Sequence, residues 1–170
     1  MYVTGIDNDR IRQYTVGVAF DLTSTITLER SRLISSVENR PQDIKFNSDG
    51  TKLIILATSS GRVQVYDLST AYDVRTLTLG TSKTASLGDN PRGFDFNHNG
   101  TKMFVSGNND DDINEYTLTT GFDVSTASFV DSFDISSQET GPRDLAFNND
   151  GTKMLSLIHI SEPTRLLSIG

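Results

Sequence analysis

The sequence predicts an all-β chain, a partial β-propeller of about three four-stranded antiparallel blades of roughly fifty residues each, whose ring is not closed. Three observations predict it. A thirteen-residue unit occurs three times, starting at Pro41, Pro91 and Pro142, so the repeat is 50 and then 51 residues long. Each unit holds alternating apolar and polar residues that meet an Asn-x-Asp/Asn-Gly turn and then a second apolar run. A tyrosine-bearing segment with period-two patterning, Ile11 to Val16, Val63 to Leu68 and Ile113 to Leu118, recurs at the same offset.

The first segment of the unit, such as Ile44-Lys45-Phe46 or Phe94-Asp95-Phe96, puts two large apolar side chains on one face and a polar one on the other, as a half-buried strand requires. The turn that follows, Asn47 to Thr51, Asn97 to Thr101 and Asn148 to Thr152, is made of residues that tolerate left-handed angles and bond their own main chain. Asp49, Asn99 and Asp150 are therefore read as turn residues, not as catalytic acids.

Ala19-Phe20-Asp21, Ala71-Tyr72-Asp73 and Gly121-Phe122-Asp123 follow the tyrosine strand, and each aromatic is expected to plug between neighbouring units. A fourth, more polar strand comes next, through Thr25 to Ser35, Thr76 to Ser86 and Ala127 to Ser136. Its low apolar density suits an outer edge.

Residues 1–156 divide into a partial blade 1–37, blades 38–87 and 88–138, and a partial blade 139–156. Residues 157–170 are a non-repeat tail. The tail resembles translated adapter sequence from environmental sequencing, and is expected to be artefactual. The alternative is a genuine tail pairing with a neighbouring strand. Closed propellers need about four to eight blades, so the chain is expected to need further blades from a longer parent and to be marginal or aggregation-prone alone.

The Phe-Asn-x-Asp/Asn-Gly-Thr-Lys pattern, followed by Met103-Phe104-Val105-Ser106-Gly107 or Met1-Tyr2-Val3-Thr4-Gly5, resembles the tandem propeller repeats of the surface-layer YVTN type and the wider tryptophan-aspartate-like superfamily. The chain has no tryptophan and so lacks the Trp-Asp signature. The resemblance implies architecture more than activity, since this fold hosts many functions.

A net charge of −7 disfavours nucleic acid as a partner, because phosphate-backbone binding needs clustered Lys and Arg. No apolar run approaches the roughly 20 residues of a membrane span. There is no cysteine, hence no disulfide framework or thiolate metal site. With two histidines, His98 inside a turn and His159 in the tail, nucleophile-histidine-acid chemistry has no members here.

Function is expected on the rim whose loops vary between repeats. Its candidates are Asp7, Asp9, Glu38, Arg40, Asp89, Asn90, Asn108, Asn109, Asp110, Asp111, Asp112 and Glu139. Asn108 to Asp112 offers the hard oxygens that calcium takes, but without the spaced ligands of a calcium loop. A solvated turn is the expected role, and no cofactor is assigned. Asp43, Lys45, Asp95, Asp144 and Ala146 are expected to face the channel, and Arg40, Arg92 and Arg143 to pair with Asp43, Asp95 and Asp144. These residues point to a non-enzymatic scaffold that binds a protein or glycan through the rim, as a secreted, cell-surface or virion-associated module. The alternative, implied by the resemblance, is a lactonase-like hydrolase with a divalent metal in the channel.

Overall fold

The computed structural model describes residues 1–5, 9–34, 40–57, 61–83, 87, 90–138 and 140–157. Four antiparallel sheets follow one another along the chain. The first holds β1 (Tyr2–Gly5), β2 (Arg10–Val18) and β3 (Asp21–Leu33) in that order. The second holds β4 (Pro41–Phe46), β5 (Lys52–Ala57), β6 (Arg62–Leu68) and β7 (Leu77–Lys83), and the third β8 (Pro91–Phe96), β9 (Lys102–Gly107), β10 (Asp112–Leu118) and β11 (Ala127–Asp134). The fourth pairs β12 (Asp144–Phe147) with β13 (Met154–Leu157). β13 therefore runs one residue into the tail, while 158–170 lie outside the described residues.

Register repeats with the sequence. Phe46 faces Leu53, Phe96 faces Met103 and Phe147 faces Met154 across the three first hairpins. In the turns, the Thr51, Thr101 and Thr152 amides donate to Asp49 Oδ1, Asn99 Oδ1 and Asp150 Oδ1 at 2.9, 3.2 and 2.9 Å. The pairing of each tyrosine strand with its outer neighbour shifts register just before Tyr14, Tyr66 or Tyr116, and the extra residue lies on the outer strand, Glu29 in β3 and Val130 in β11. A bulge strengthens local twist and bends the strand toward the edge.

The sheets stack face to face, and β5 shows how. Leu53, Ile54, Ile55, Leu56 and Ala57 are all fully buried, a continuous apolar run that only a strand covered on both faces can carry. Alternate side chains point to opposite faces. Leu53 and Ile55 join a core with Ile11 and Ile34 of the first sheet, whereas Ile54 and Leu56 join one with Phe94, Met103 and Tyr116 of the third. A third cluster, Ile113, Ile135 and Leu145, ties the third sheet to β12. Each fully buried aliphatic side chain contributes about 1.5–3 kcal/mol, so stacking is the main source of stability.

The aromatic after the tyrosine strand packs differently from the sequence expectation of a plug between units. Tyr72 and Phe122 adopt left-handed angles, φ 62° and 58°, and lie over Gly50 and Gly100 of their own sheet's hairpin. Each ring also meets the inner-strand aromatic of its own sheet, Phe46 at 5.2 Å or Phe96 at 5.3 Å. The seam between sheets is bridged instead by Tyr2 on Phe46 and by Phe104 on Phe147, at 4.7 and 4.5 Å.

The candidate ligand-binding rim

Strands β4, β8 and β12 lie side by side as the inner strands of successive sheets. Asp43 Oδ2 accepts from the Phe94 amide at 3.3 Å, and Asp95 Oδ2 from the Phe147 amide at 2.9 Å. Close approach is possible because residue 93 is glycine; a β-carbon there would stand 2.5 Å from Asp144 Cα.

At one end of these strands sit the near-identical turns; at the other sit the variable loops. Several candidate rim residues act there on the backbone. The residue before each repeated proline, Arg40, Asn90 or Gly141, has a left-handed angle of 57°, 56° or 72°. Asp9 Oδ1 accepts from the Arg40 amide at 3.0 Å, and Asp111 Oδ1 from the Gly141 amide at 2.6 Å. These two aspartates occupy equivalent loop positions and staple one sheet to the start of the next. The middle repeat has Gly61 at that position, with φ 56°, and no carboxylate to offer.

Asn90 donates through Nδ2 to Asn108 Oδ1 and Asn109 Oδ1 at 3.2 and 3.3 Å, forming an amide cluster. Asp112 accepts from Asn114 Nδ2 at 3.1 Å and from Ser132 Oγ at 2.8 Å. Asp110 is exposed. Asp7, Glu38, Asp89 and Glu139 lie outside the described residues.

The arginines depart from the sequence expectation. Asp43 and Asp95 pair with Lys45, whose Nζ lies 3.9 Å from Asp43 Oδ2 and 3.8 Å from Asp95 Oδ1. Lys45 lies two residues from Asp43 on β4 and beside Asp95 of the neighbouring β8, within reach of both carboxylates, whereas Arg92 is skipped by the β8–β9 pairing. Burial pushes the Asp43 carboxyl above its usual range and Asp144's charge adds to this, while Lys45 opposes it.

Gln42 and Arg92 carry the feature that sequence reasoning missed. Pairing of β4 with β5 skips Gln42, between Pro41 facing Ala57 and Asp43 facing Leu56. Pairing of β8 with β9 skips Arg92 in the same way, between Pro91 facing Gly107 and Gly93 facing Ser106. Both are bulge residues, re-aimed out of the ladder. Gln42 Nε2 and Arg92 Nε are buried without a hydrogen-bond partner among the described residues.

The described oxygens of the inner strands do not fit a divalent cation. The Lys45 ammonium already lies beside Asp43 and Asp95, and among the described residues no three His, Cys, Asp or Glu side chains gather as a ligand set. At the opposite rim a cleft of about 480 Å³ opens between the third sheet and β12–β13, lined by Phe96, His98, Phe104, Phe147 and Gly151. There His98 Nε2 lies 2.5 Å from the Asn149 carbonyl oxygen, a contact within the turn rim.

No family model and no curated protein matches the chain. Solved structures do. A protein of Bacteroides uniformis described as a candidate 6-phosphogluconolactonase superposes with a TM-score of 0.63 at 17% identity, over 91% of this chain and 43% of its own. The fold is propeller-like.

The periplasmic gluconolactonase of Pseudomonas aeruginosa gives 0.61 at 11% identity, over 94% of this chain and 39% of its own. Sqt1 of Chaetomium thermophilum, bound to the N-terminus of ribosomal protein L10, gives 0.53 at 17% identity, over 89% and 38%. The chain thus spans less than half the length of these propellers. Among the described residues no helix is long and apolar enough to cross a membrane.

Proposed function

We propose that this chain is a segment of a propeller, of the YVTN repeat type, that binds its ligand at the variable rim, over the proline ends of the inner strands. The observation that carries this reading is the pair of bulges at Gln42 and Arg92, which take hydrogen-bond donors out of the ladder and leave them without a partner among the described residues. The opposite rim spends its polar groups on its own turns.

Two ligand classes suit such a rim. The lactonase-named neighbours favour a sugar lactone and hydrolysis by the whole protein. Sqt1, bound to a segment of ribosomal protein L10, supports a protein or glycan ligand and a non-enzymatic scaffold. The neighbours' names weigh toward the lactonase class. A hydrolase of that class would draw its metal ligands from blades other than those described, since Lys45 stands between the carboxylates here.

Assaying the longer parent for gluconolactone hydrolysis, with and without calcium or magnesium, separates the two. Metal-dependent turnover supports the hydrolase. No turnover, together with capture of a glycan or peptide that is lost on changing Asp110 and Asp112, supports the scaffold. Capture indifferent to the rim loops contradicts the rim reading itself.

A further inference from the structure

Three consecutive inner strands bring equivalent side chains to one level. Gln42, Arg92 and Arg143 each follow a repeated proline, and Arg40 precedes the first. Hydrogen bonds from Phe94 to Asp43 and from Phe147 to Asp95 hold the three strands in step. Two of the three side chains sit on bulges, and each of those two has a buried nitrogen donor with no acceptor among the described residues.

The cluster is cationic in a chain whose net charge is −7. Burial holds the Arg92 guanidinium below its usual range, and the charges of Arg143 and Arg40 lower it further, so the three cations share one neighbourhood. The described carboxylates of the inner strands also face other groups. Asp43 and Asp95 accept from inner-strand amides and Lys45, and Asp144 Oδ1 accepts from the Leu145 amide at 2.7 Å. Among the described residues the level offers free donors and positive charge, with planar guanidinium forks that match the paired oxygens of an oxyanion.

Resting on the reading of this rim as the binding face, we propose that Gln42, Arg92 and Arg143 form an oxyanion site that takes the carboxylate, sulfate or phosphate group of the ligand. The buried donors of Gln42 and Arg92 fix the anion, and the exposed Arg143 closes on it from the next strand. A neutral saccharide leaves these donors unsatisfied and is discriminated against.

The test is a titration of the 170-residue chain with sodium sulfate, sodium phosphate and sodium acetate at constant ionic strength, followed by amide chemical shifts. Saturable shifts at Gly93 and Asp144 are expected, with sulfate and phosphate separated from acetate by the oxyanion shape the site prefers. Arg92→Gln and Arg143→Gln are each expected to weaken binding about tenfold or more, and Arg92→Lys, which keeps the charge but loses the fork, by an intermediate amount. Arg143 is exposed, so its variant tests the site without disturbing the fold. Lys153→Gln, on the opposite rim, should leave binding unchanged.

Shifts that do not saturate, or that are equal in the wild type and both glutamine variants, overturn the site. If a rim-dependent partner is nonetheless captured, the oxyanion site alone falls. If sulfate binds as described and no partner depends on the rim loops, the rim reading falls and the site stands.

Discussion

The ring of Phe122 occupies the space that a β-carbon on Gly100 would need, with its Cδ2 2.4 Å from that position. Gly100 also holds a left-handed φ of 70° and accepts the Phe122 amide on its carbonyl at 3.0 Å. Turn and aromatic thus form one interlock, repeated by Gly50 and Tyr72. Gly151 has the same backbone angle, 71°, but no atom within 4 Å of its β-carbon position.

That contrast gives a matched pair of substitutions. Gly151→Ala should cost only the left-handed angle, about 1–2 kcal/mol. Gly100→Ala should cost this and about 1–3 kcal/mol more, because the ring has to move. Urea melts of the two variants check it, and equal losses would show that the ring does not pack on the glycine.

Asp43 is expected to make stability depend on pH in the direction opposite to Asp49, Asp73 and Asp150. Its folded pKa is raised, so the folded state holds the proton more tightly and stability falls as pH rises from the unfolded value through the folded one. Asp49, Asp73 and Asp150 are lowered, Asp73 to about 2, chiefly by side-chain hydrogen bonds from Thr51, Arg75 and Thr152. Their contribution is present above the ordinary carboxylate value and is lost as pH drops through the folded one. Asp43→Asn should therefore raise the Tm at pH 7 and leave it unchanged at pH 3. Thermal melts at the two values read this directly, and a lower Tm at pH 7 would show that the Lys45 attraction outweighs burial.

The two ends of the stack and the outer strands β7 and β11 leave apolar side chains in water. Phe20 is fully exposed and Leu155 is 73% exposed, with Leu22, Leu79 and Phe133 at 69%, 60% and 60%. Concentration-dependent self-association is the expected outcome, because such patches and unpaired edges are sticky. The double variant Phe20→Ser, Leu155→Ser should reduce it. Sedimentation velocity across a concentration series decides, and a monomer at all concentrations would contradict the expectation.

The arrangement of strands was legible in the sequence because each feature that sets it is local. Alternation marks Ile44 to Phe46, the Asn-x-Asp-Gly turn marks Asn47 to Gly50, and the repeat itself marks equivalent residues. What joins the sheets was not legible. Asp43 and Asp95 both accept an amide of the next inner strand, yet they sit at different positions of the repeat, so aligning the copies hides their common role. The expected pairing of Arg40, Arg92 and Arg143 with Asp43, Asp95 and Asp144 gives way, at Asp43 and Asp95, to Lys45, and at Arg92 for a similar reason. A bulge shifts the side chain by one residue, and nothing in the pattern Pro41-Gln42-Asp43 or Pro91-Arg92-Gly93 signals one. Gly93 was the available hint, since a glycine inside a strand marks close backbone approach. Of the rim candidates, Asp9 and Asp111 were singled out for ligand binding, and each accepts a backbone amide at the start of the next sheet.

The central claim is that successive fifty-residue sheets are locked to one another through their inner strands. Amide hydrogen exchange at Phe147 tests it most directly, because that amide is bonded to a carboxylate 52 residues away. The account predicts a protected Phe147 amide that loses protection in Asp95→Ala while Phe94, bonded to Asp43, keeps its own. A Phe147 amide that exchanges freely in the wild type, or is indifferent to Asp95→Ala, would contradict it.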